Sequence, residues 1–205
     1  MTSFVMTING KPAPSGDTFP VRNPVDESVV AHCPLGTPEH VNEAVAAARR
    51  AFPSWSGLAD AERVRSLNAI ADLMQEHASE LSQLLTREQG KTQSGPGANL
   101  EVGGAIAWTR VTAGLSLPEE TIQDDKSGMI VVRRKPVGVV GSITPWNWPL
   151  MIAAWHVMPA LRVGCTVIIK PSPYTPLSTL RLVALMNTIL PPGVVNAVTG
   201  EASVG

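Results

Sequence analysis

The sequence predicts an α/β protein in which a partial doubly wound parallel sheet follows N-terminal helices and a β-hairpin. Apolar residues recur every three or four positions through much of the first half of the chain, which is typical of packed helices. Strand and helix patterns then alternate over residues 137–200. The 205 residues, 44% of them hydrophobic, can bury a sizeable core.

The N-terminal segment, up to about Gly36, is predicted to be extended because prolines interrupt it five times. A helix is predicted to begin after Thr37, whose side chain can cap the N-terminus. Pro38 suits the first turn of that helix, and Glu39 lies near the positive end of the helix dipole.

Further helical stretches are predicted downstream. Apolar residues recur with helical spacing from Asp60 onward and again from Ser79 until Gly90, a residue type that commonly ends helices. After a glycine-rich break at 94–99, another helix is predicted over 100–113.

Residues 118–137 change in character and predict a β-hairpin. Two runs with strand composition flank a polar turn, which extends from Asp124 to Gly128. Such a hairpin could be an appendage that is used in contacts between subunits.

The pattern over the remaining residues predicts the order β-α-β-α-β. Strands are expected at 137–143, 166–170 and 194–200, with helices at 149–161 and 175–190 between them. This order is typical of a doubly wound sheet with right-handed crossovers. A dinucleotide-binding fold usually has six strands, so we expect only half of one here and a chain that is truncated.

Composition argues against several functional classes. With 16 Lys+Arg and 17 Asp+Glu the charges nearly cancel, so neither nucleic acid nor an acidic surface is indicated as a partner. No apolar run approaches the ~18 residues of a membrane helix. The first residues, MTSFVMTINGK, do not resemble a secretory signal, and we expect a cytoplasmic protein. Two cysteines and four scattered histidines suggest neither a disulfide framework nor a metal site.

Two proline-rich loops are the candidates for a binding site. In a doubly wound sheet ligands lie beyond the carboxyl ends of the strands, where TPWNWP (144–149) and KPSPYTP (170–176) each join a strand to a helix. The glycine fingerprint of dinucleotide-binding loops is missing, because Gly138 and Gly141 lie within the strand. A dinucleotide would therefore have to be bound in another manner.

Asn147 lies at the centre of the first loop. Prolines restrict the backbone on both sides of Trp146-Asn147, and the asparagine amide offers two N–H donors next to a helix N-terminus. Such an amide suits the oxyanion that forms when a nucleophile attacks a carbonyl. The alternative is that Asn147 only caps the helix at Pro149 and the tryptophans fill the core. The spacing leaves both interpretations open.

Lys170 ends the second predicted strand and is followed by Pro171. Its ammonium could reach a ribose hydroxyl or a phosphate of a nucleotide. The alternative is a lysine at a strand end that extends into solvent, which the residues alone favour.

The other polar residues of interest have simpler interpretations. His156 lies in an apolar helix and is predicted to be an interior histidine. Cys165 is predicted to be a small buried residue. Cys33 and His32 are adjacent on an extended segment, so their side chains should point to opposite faces and not act together.

Four stretches together resemble the aldehyde dehydrogenase superfamily. They are KPVGVVGSITPWNWPL, MPALRVGCTVIIKPSPYTPL, REQGKT at 87–92 and PPGVVNAVTG at 191–200. The first two are similar to the family's signatures around P-W-N and K-P-[SA]. The resemblance covers most of the chain in the family's order.

The resemblance implies an enzyme that oxidises an aldehyde to a carboxylic acid through a thiohemiacetal and a thioester, with hydride passing to NAD+ or NADP+. It implies N-terminal strands and helices of the cofactor-binding domain at 1–117 and an oligomerisation hairpin at 118–137. The first half of the Rossmann-like NAD(P)-binding domain would lie at 138–205, and a homo-oligomer is expected.

The resemblance also implies roles for single residues. Asn147 would contribute its side-chain amide to the oxyanion hole. The nicotinamide and phosphate side of the cofactor cleft would be lined by Ile143, Thr144, Pro145 and Trp146. Lys170 and Ser172 would approach the adenosine ribose, and Gly200 the adenine pocket.

Two positions depart from the family pattern. Pro173 stands where the family often has a glutamate that binds the ribose hydroxyls, so NADP+ should be tolerated. His156 stands where the family often has lysine, which leaves a proton-relay role at this position without support.

The family's nucleophilic cysteine and general-base glutamate would both lie downstream of residue 205, and neither Cys33 nor Cys165 matches the nucleophile motif. We therefore expect the N-terminal, cofactor-binding part of a dehydrogenase that is inactive alone. The alternative is a noncatalytic nucleotide-binding remnant or an interaction partner of full-length subunits.

Overall fold

A computed structural model describes residues 4–205, so the first three residues of the predicted 1–117 segment lie outside the described part. The helices are α1 (Pro38–Ser56), α2 (Asp60–Glu76), α3 (Ala78–Gln89), α4 (Ala98–Gly114), α5 (Pro149–Arg162) and α6 (Leu177–Met186). The strands are β1 (Met6–Ile8), β2 (Lys11–Ala13), β3 (Thr18–Arg22), β4 (Val29–Pro34), β5 (Glu120–Asp125), β6 (Gly128–Val132), β7 (Val139–Ile143), β8 (Thr166–Lys170) and β9 (Val195–Ala197). A short 3₁₀ helix covers Ala202–Val204.

The predicted β-α-β-α-β unit is confirmed. β7, β8 and β9 are parallel neighbours, with α5 and α6 as the crossover helices. The β7–β8 register pairs Val139 with Thr166 at one end and Ile143 with Lys170 at the other. Because the register has no shift, Ile143 and Lys170 lie side by side at the carboxyl ends of their strands.

The sheet has two strands more than the sequence predicted. β1 and β2 form a tight antiparallel hairpin through Asn9 and Gly10, both at positive φ. β1 also pairs antiparallel with β9, where Thr7 faces Ala197, so the strand order is β2-β1-β9-β8-β7. The extended N-terminal segment therefore covers the edge of β9.

The N-terminal helices and the crossover helices share one hydrophobic core. Side chains from both parts of the sequence are fully buried in it, among them Leu67, Met74, Leu85, Leu150, Met158 and Leu177. α4 packs against α2, α3 and α5. The residues around the candidate site are therefore supported by helices that are distant in sequence.

Arg162, at the end of α5, joins three helices. Its side chain is buried and donates to the carbonyl oxygens of Ala113 (3.2 Å) and Leu115 (2.6 Å) at the end of α4. It also forms a bidentate ion pair with Asp60 at the start of α2. This contact fixes the point from which the chain leaves α4 toward the hairpin.

The predicted hairpin is confirmed as β5 and β6, with Gly128 at φ +141 in the turn. Its large apolar side chains are exposed, and they include Ile122, Met129, Ile130 and Val132. Within residues 4–205 no helix is both long and apolar enough to cross a membrane.

Candidate active site at the carboxyl ends of β7 and β8

The two proline-rich loops form one surface. Loop 144–148 joins β7 to α5, and loop 171–176 joins β8 to α6. The backbone N–H of Thr144 donates to the carbonyl oxygen of Lys170 at 3.1 Å. The hydroxyl of Thr175 lies 3.3 Å from the carbonyl oxygen of Trp146 and donates to it. The loops are thus joined at their start and again near their centre.

Asn147 is exposed and lines an apolar cavity of about 410 Å³. The loop also contributes Trp148, and the other lining residues come from α4 and α5, namely Leu100, Gly104, Met151, Ile152 and Trp155. The backbone carbonyl of Asn147 accepts hydrogen bonds from Gln89 Nε2 at 3.2 Å and from Lys91 Nζ at 3.1 Å. The peptide of Asn147 is therefore held from the side of α3.

The alternative role for Asn147, as a helix cap, is wrong. The N-cap position of α5 is Trp148, and the α5 amides are bonded elsewhere. Oε1 of Glu101, on α4, accepts from the backbone N–H of Leu150 at 2.9 Å and of Met151 at 3.1 Å. Trp146 does not fill the core either, since it is 58% exposed.

Glu88 caps α6 in a similar way. Its buried carboxylate accepts hydrogen bonds from the backbone N–H of Leu177 and from the N–H (3.0 Å) and hydroxyl of Ser178. Burial raises the pKa of Glu88 to about 7, although these hydrogen bonds act in the opposite direction.

Both crossover helices therefore carry a protein carboxylate where a dinucleotide fold with a glycine fingerprint would place a phosphate. Glu88 and Glu101 occupy the amides that would otherwise attract an anion. This arrangement agrees with the absence of that fingerprint from the sequence.

Four polar residues of the site were not identified from the sequence: Glu88, Gln89, Lys91 and Glu101. A signal for Glu88 was present, because it continues the helical stripe of Leu81, Leu84 and Leu85 that faces the core. A carboxylate at a core position usually has a bonded partner, but the sequence does not show which.

Lys170 lies on the other side of the TPWNWP loop. With Ile143, Ser142, Ile168 and Val204 it lines a small cavity of about 140 Å³. Burial lowers the pKa of Lys170. Among residues 4–205 no carboxylate forms an ion pair with its ammonium group.

The remaining predicted site residues lie around these two loops. Ile143 and Pro145 are exposed, whereas Thr144 is buried and its hydroxyl has no hydrogen-bond partner in the described part of the chain. Ser172 is buried and its hydroxyl accepts from the N–H of Tyr174 at 3.3 Å. Next to it, Pro173 is half-buried.

Gly200, beyond β9, is buried at φ +144. A Cβ added there would come within 2.7 Å of the side chain of Val204. Since both the conformation and the space favour glycine, a larger residue at this position would displace the 3₁₀ helix.

The prediction of an interior His156 is wrong. The imidazole is exposed, and its Nδ1 lies 2.9 Å from the hydroxyl of Ser142 on β7. Trp155 is also 43% exposed. In the described part of the chain β7 is an edge strand of the sheet. The face of α5 that carries Trp155 and His156 is therefore not covered by a further strand or helix of residues 4–205.

The predictions for the cysteines are confirmed. Cys33 and Cys165 are free and buried, and burial raises the pKa of the Cys33 thiol to about 12. His32 is exposed while Cys33 is buried, so the two side chains point to opposite faces as expected.

The chain is similar to known proteins along nearly its whole length. The model of the aldehyde dehydrogenase family matches residues 12–205. The aldehyde dehydrogenase LUC3 of a Fusarium species is 38% identical over 204 residues, which are 100% of this chain and 42% of that protein.

Two solved structures also match. PnpE from Pseudomonas sp. WBC-3, in complex with nicotinamide adenine dinucleotide, has a TM-score of 0.94 and 39% identity, covering 98% of this chain and 42% of PnpE. An NADP-dependent enzyme of E. coli has a TM-score of 0.93 and 33% identity, covering 98% of this chain and 43% of that enzyme. The chain thus spans less than half the length of each of these proteins.

Proposed function

The chain belongs to the aldehyde dehydrogenase family, and on that premise we propose that it supplies the cofactor-binding part of an enzyme that oxidises an aldehyde to a carboxylic acid with NAD+ or NADP+. The observation that carries the proposal is the position of Asn147. Its backbone is held by Gln89 and Lys91 while its side chain borders an apolar cavity.

The Asn147 amide acts on the carbonyl oxygen of the aldehyde. As negative charge develops on that oxygen, the N–H donors stabilise it, and the apolar lining of the cavity strengthens the interaction. Loss of one such donor typically costs about 2.7–4 kcal/mol of transition-state stabilisation.

Lys170, which lines the other cavity, suits a nicotinamide dinucleotide. It is a half-buried cation without an acidic partner in residues 4–205. Ribose hydroxyls and phosphates are suitable partners for its ammonium group. NAD(P)+, when bound, supplies the acceptor for the hydride.

We assign the individual cofactor contacts as follows. The nicotinamide and phosphate side would be lined by Ile143, Thr144, Pro145 and Trp146. Lys170, Ser172 and Pro173 would approach the adenosine ribose, and Gly200 the adenine. The NAD complex of PnpE and the NADP-dependent enzyme of E. coli support this class of cofactor.

The substrate side favours a bulky apolar aldehyde. Trp148, Met151 and Trp155 provide large apolar surfaces in the cavity of about 410 Å³ next to Asn147. This size corresponds to a cavity that holds a small organic ligand. The aldehyde substrate would bury its hydrocarbon part there.

The 205 residues alone are proposed to be inactive in aldehyde oxidation. The buried Cys33 thiol, with its pKa near 12, offers no thiolate at neutral pH, and Cys165 is 2% exposed. Both cysteines are buried, and neither lines the cavity next to Asn147. We also propose that the protein is cytoplasmic.

The hairpin is proposed to contact another subunit of a homo-oligomer. It exposes four large apolar side chains on β5 and β6, namely Ile122, Met129, Ile130 and Val132. Because successive side chains of a strand alternate, these residues lie on both faces of the hairpin, and exposed apolar surface of this kind commonly marks a protein contact.

Calorimetric titration of NAD+ into the 205-residue protein tests the cofactor assignment. We expect binding that is weakened at least about tenfold in Lys170→Ala and unchanged in Lys126→Ala, which replaces an exposed lysine in the hairpin turn. Equal affinity in both variants would contradict the assignment.

A further inference from the structure

Lys91 has no role in the chemistry described above, yet it is one of the most connected side chains near the loop. Its side chain is only 12% exposed. The ammonium donates to the Glu101 carboxylate and to the carbonyl oxygen of Asn147, and it lies 4.5 Å from the centre of the Trp148 ring. Lys91 thus contacts two consecutive residues of the TPWNWP loop.

These contacts continue into α5. Glu101 binds Lys91 through one carboxylate oxygen and the first α5 amides, those of Leu150 and Met151, through the other. The Glu101 side chain is completely buried. A chain of charged hydrogen bonds therefore leads from the Asn147 carbonyl through Lys91 to the start of the helix.

The prolines of the loop do not by themselves determine how the Asn147 amide points. Pro145 and Pro149 fix the φ angles of their own residues and restrict the residues that precede them. The peptide plane that follows Asn147 is oriented by the bonds that its carbonyl accepts from Lys91 and Gln89. Because the carbonyl is drawn toward α3, the side chain remains at the cavity.

We propose that Lys91 is a positioning residue for the Asn147 amide. It does not line the cavity beside Asn147. It acts by binding the Asn147 carbonyl with an ammonium group that Glu101 and the Trp148 ring hold in place. The significance for catalysis rests on the proposed function, whereas the positioning itself is a property of this chain.

The test compares variants of the 205-residue protein by NMR. Lys91→Met removes the ammonium group and leaves the buried Glu101 without its cationic partner. It is therefore paired with a double variant, Lys91→Met/Glu101→Gln, which removes both charges. Lys91→Arg keeps the positive charge, and Lys126→Met is the matched control at an exposed lysine. The readouts are the side-chain amide signals of Asn147 and hydrogen exchange along the chain.

We expect the Asn147 amide signals to shift in Lys91→Met and in the double variant. Backbone exchange at Leu150 and Met151, whose amides donate to Glu101, should rise about tenfold or more, with protection in α1 unchanged. Lys91→Arg should largely restore the original signals, and Lys126→Met should leave them unaltered.

Unshifted Asn147 signals in the double variant would overturn the proposal. Loss of protection in α1 together with the loop would also overturn it, because Lys91 would then have a general structural role. These readouts do not involve an aldehyde or a cofactor. If Asn147 responds to Lys91 but not to a carbonyl ligand, the proposed function fails while the positioning role stands.

Discussion

The carboxylate of Glu88 accepts two hydrogen bonds from Ser178, one from its backbone N–H and one from its hydroxyl, at a buried position at the start of α6. Glu101 holds the start of α5 through Leu150 in a similar way. The two helices that begin at the candidate site are therefore capped by residues of α3 and α4. Their N-termini position the site rather than bind an anion.

Glu88 should make stability depend on pH. Its folded pKa of about 7 lies above the ordinary value of 4.5, so the folded state binds an additional proton between these values. The contribution is fully present below pH 4.5 and is lost as the pH rises through 7. It amounts to about 3 kcal/mol.

Urea unfolding of the protein and of Glu88→Gln at pH 5 and pH 8 measures this effect. The free energy of unfolding of the original protein, relative to that of the variant, should decrease by about 2–3 kcal/mol from pH 5 to pH 8. A difference that is the same at both pH values would show that Glu88 does not titrate in this range.

Arg162→Met should destabilise the fold. The substitution leaves the carbonyl oxygens of Ala113 and Leu115 without their donor and removes the ion pair with Asp60. We expect a loss of about 2–3 kcal/mol in the free energy of unfolding.

Arg110→Met is the matched control for Arg162→Met, because Arg110 pairs with Asp72 on the surface, where both side chains are largely exposed. An exposed pair should contribute about 0–1 kcal/mol. Equal destabilisation by the two substitutions in urea would refute a special role for Arg162.

Pro173 should allow NADP+ to bind. A proline offers no carboxylate to repel a 2′-phosphate, so we expect dissociation constants for NAD+ and NADP+ within about tenfold of each other. Pro173→Glu should weaken NADP+ selectively, and Pro191→Glu, at an exposed proline, should not. Calorimetry that finds a preference of about a hundredfold or more for NAD+ in the original protein would contradict this prediction.

The parts of the fold that were predictable are those with local signals. The apolar run of β8, the turn before Gly128 and the prolines at the starts of α1 and α5 each reflect forces between near neighbours. The pairing of β1 with β9 was not predictable, because a three-residue strand carries almost no pattern and its partner lies at the other end of the chain.

The candidate site shows the same division. Prolines and strand ends mark the loops of Asn147 and Lys170 as candidates in the sequence, and the resemblance to the family is what favoured their roles. The contacts of Lys91 with Glu101 and Asn147 depend on how α3, α4 and α5 pack, and no local pattern encodes them. His156 was misplaced for a related reason, since helical periodicity does not show that the neighbouring strand is at the edge of the sheet.

The response of the Asn147 side-chain amide to a carbonyl ligand tests the central claim most directly. With ¹⁵N-labelled asparagine, benzaldehyde and its product benzoate would be titrated into the 205-residue protein. We predict saturable shifts of the Asn147 NH₂ signals, with Asn9 and Asn23 unaffected because both lie away from the cavity. Shifts that spare Asn147, or that appear equally at all three asparagines, would contradict its assignment as the oxyanion donor.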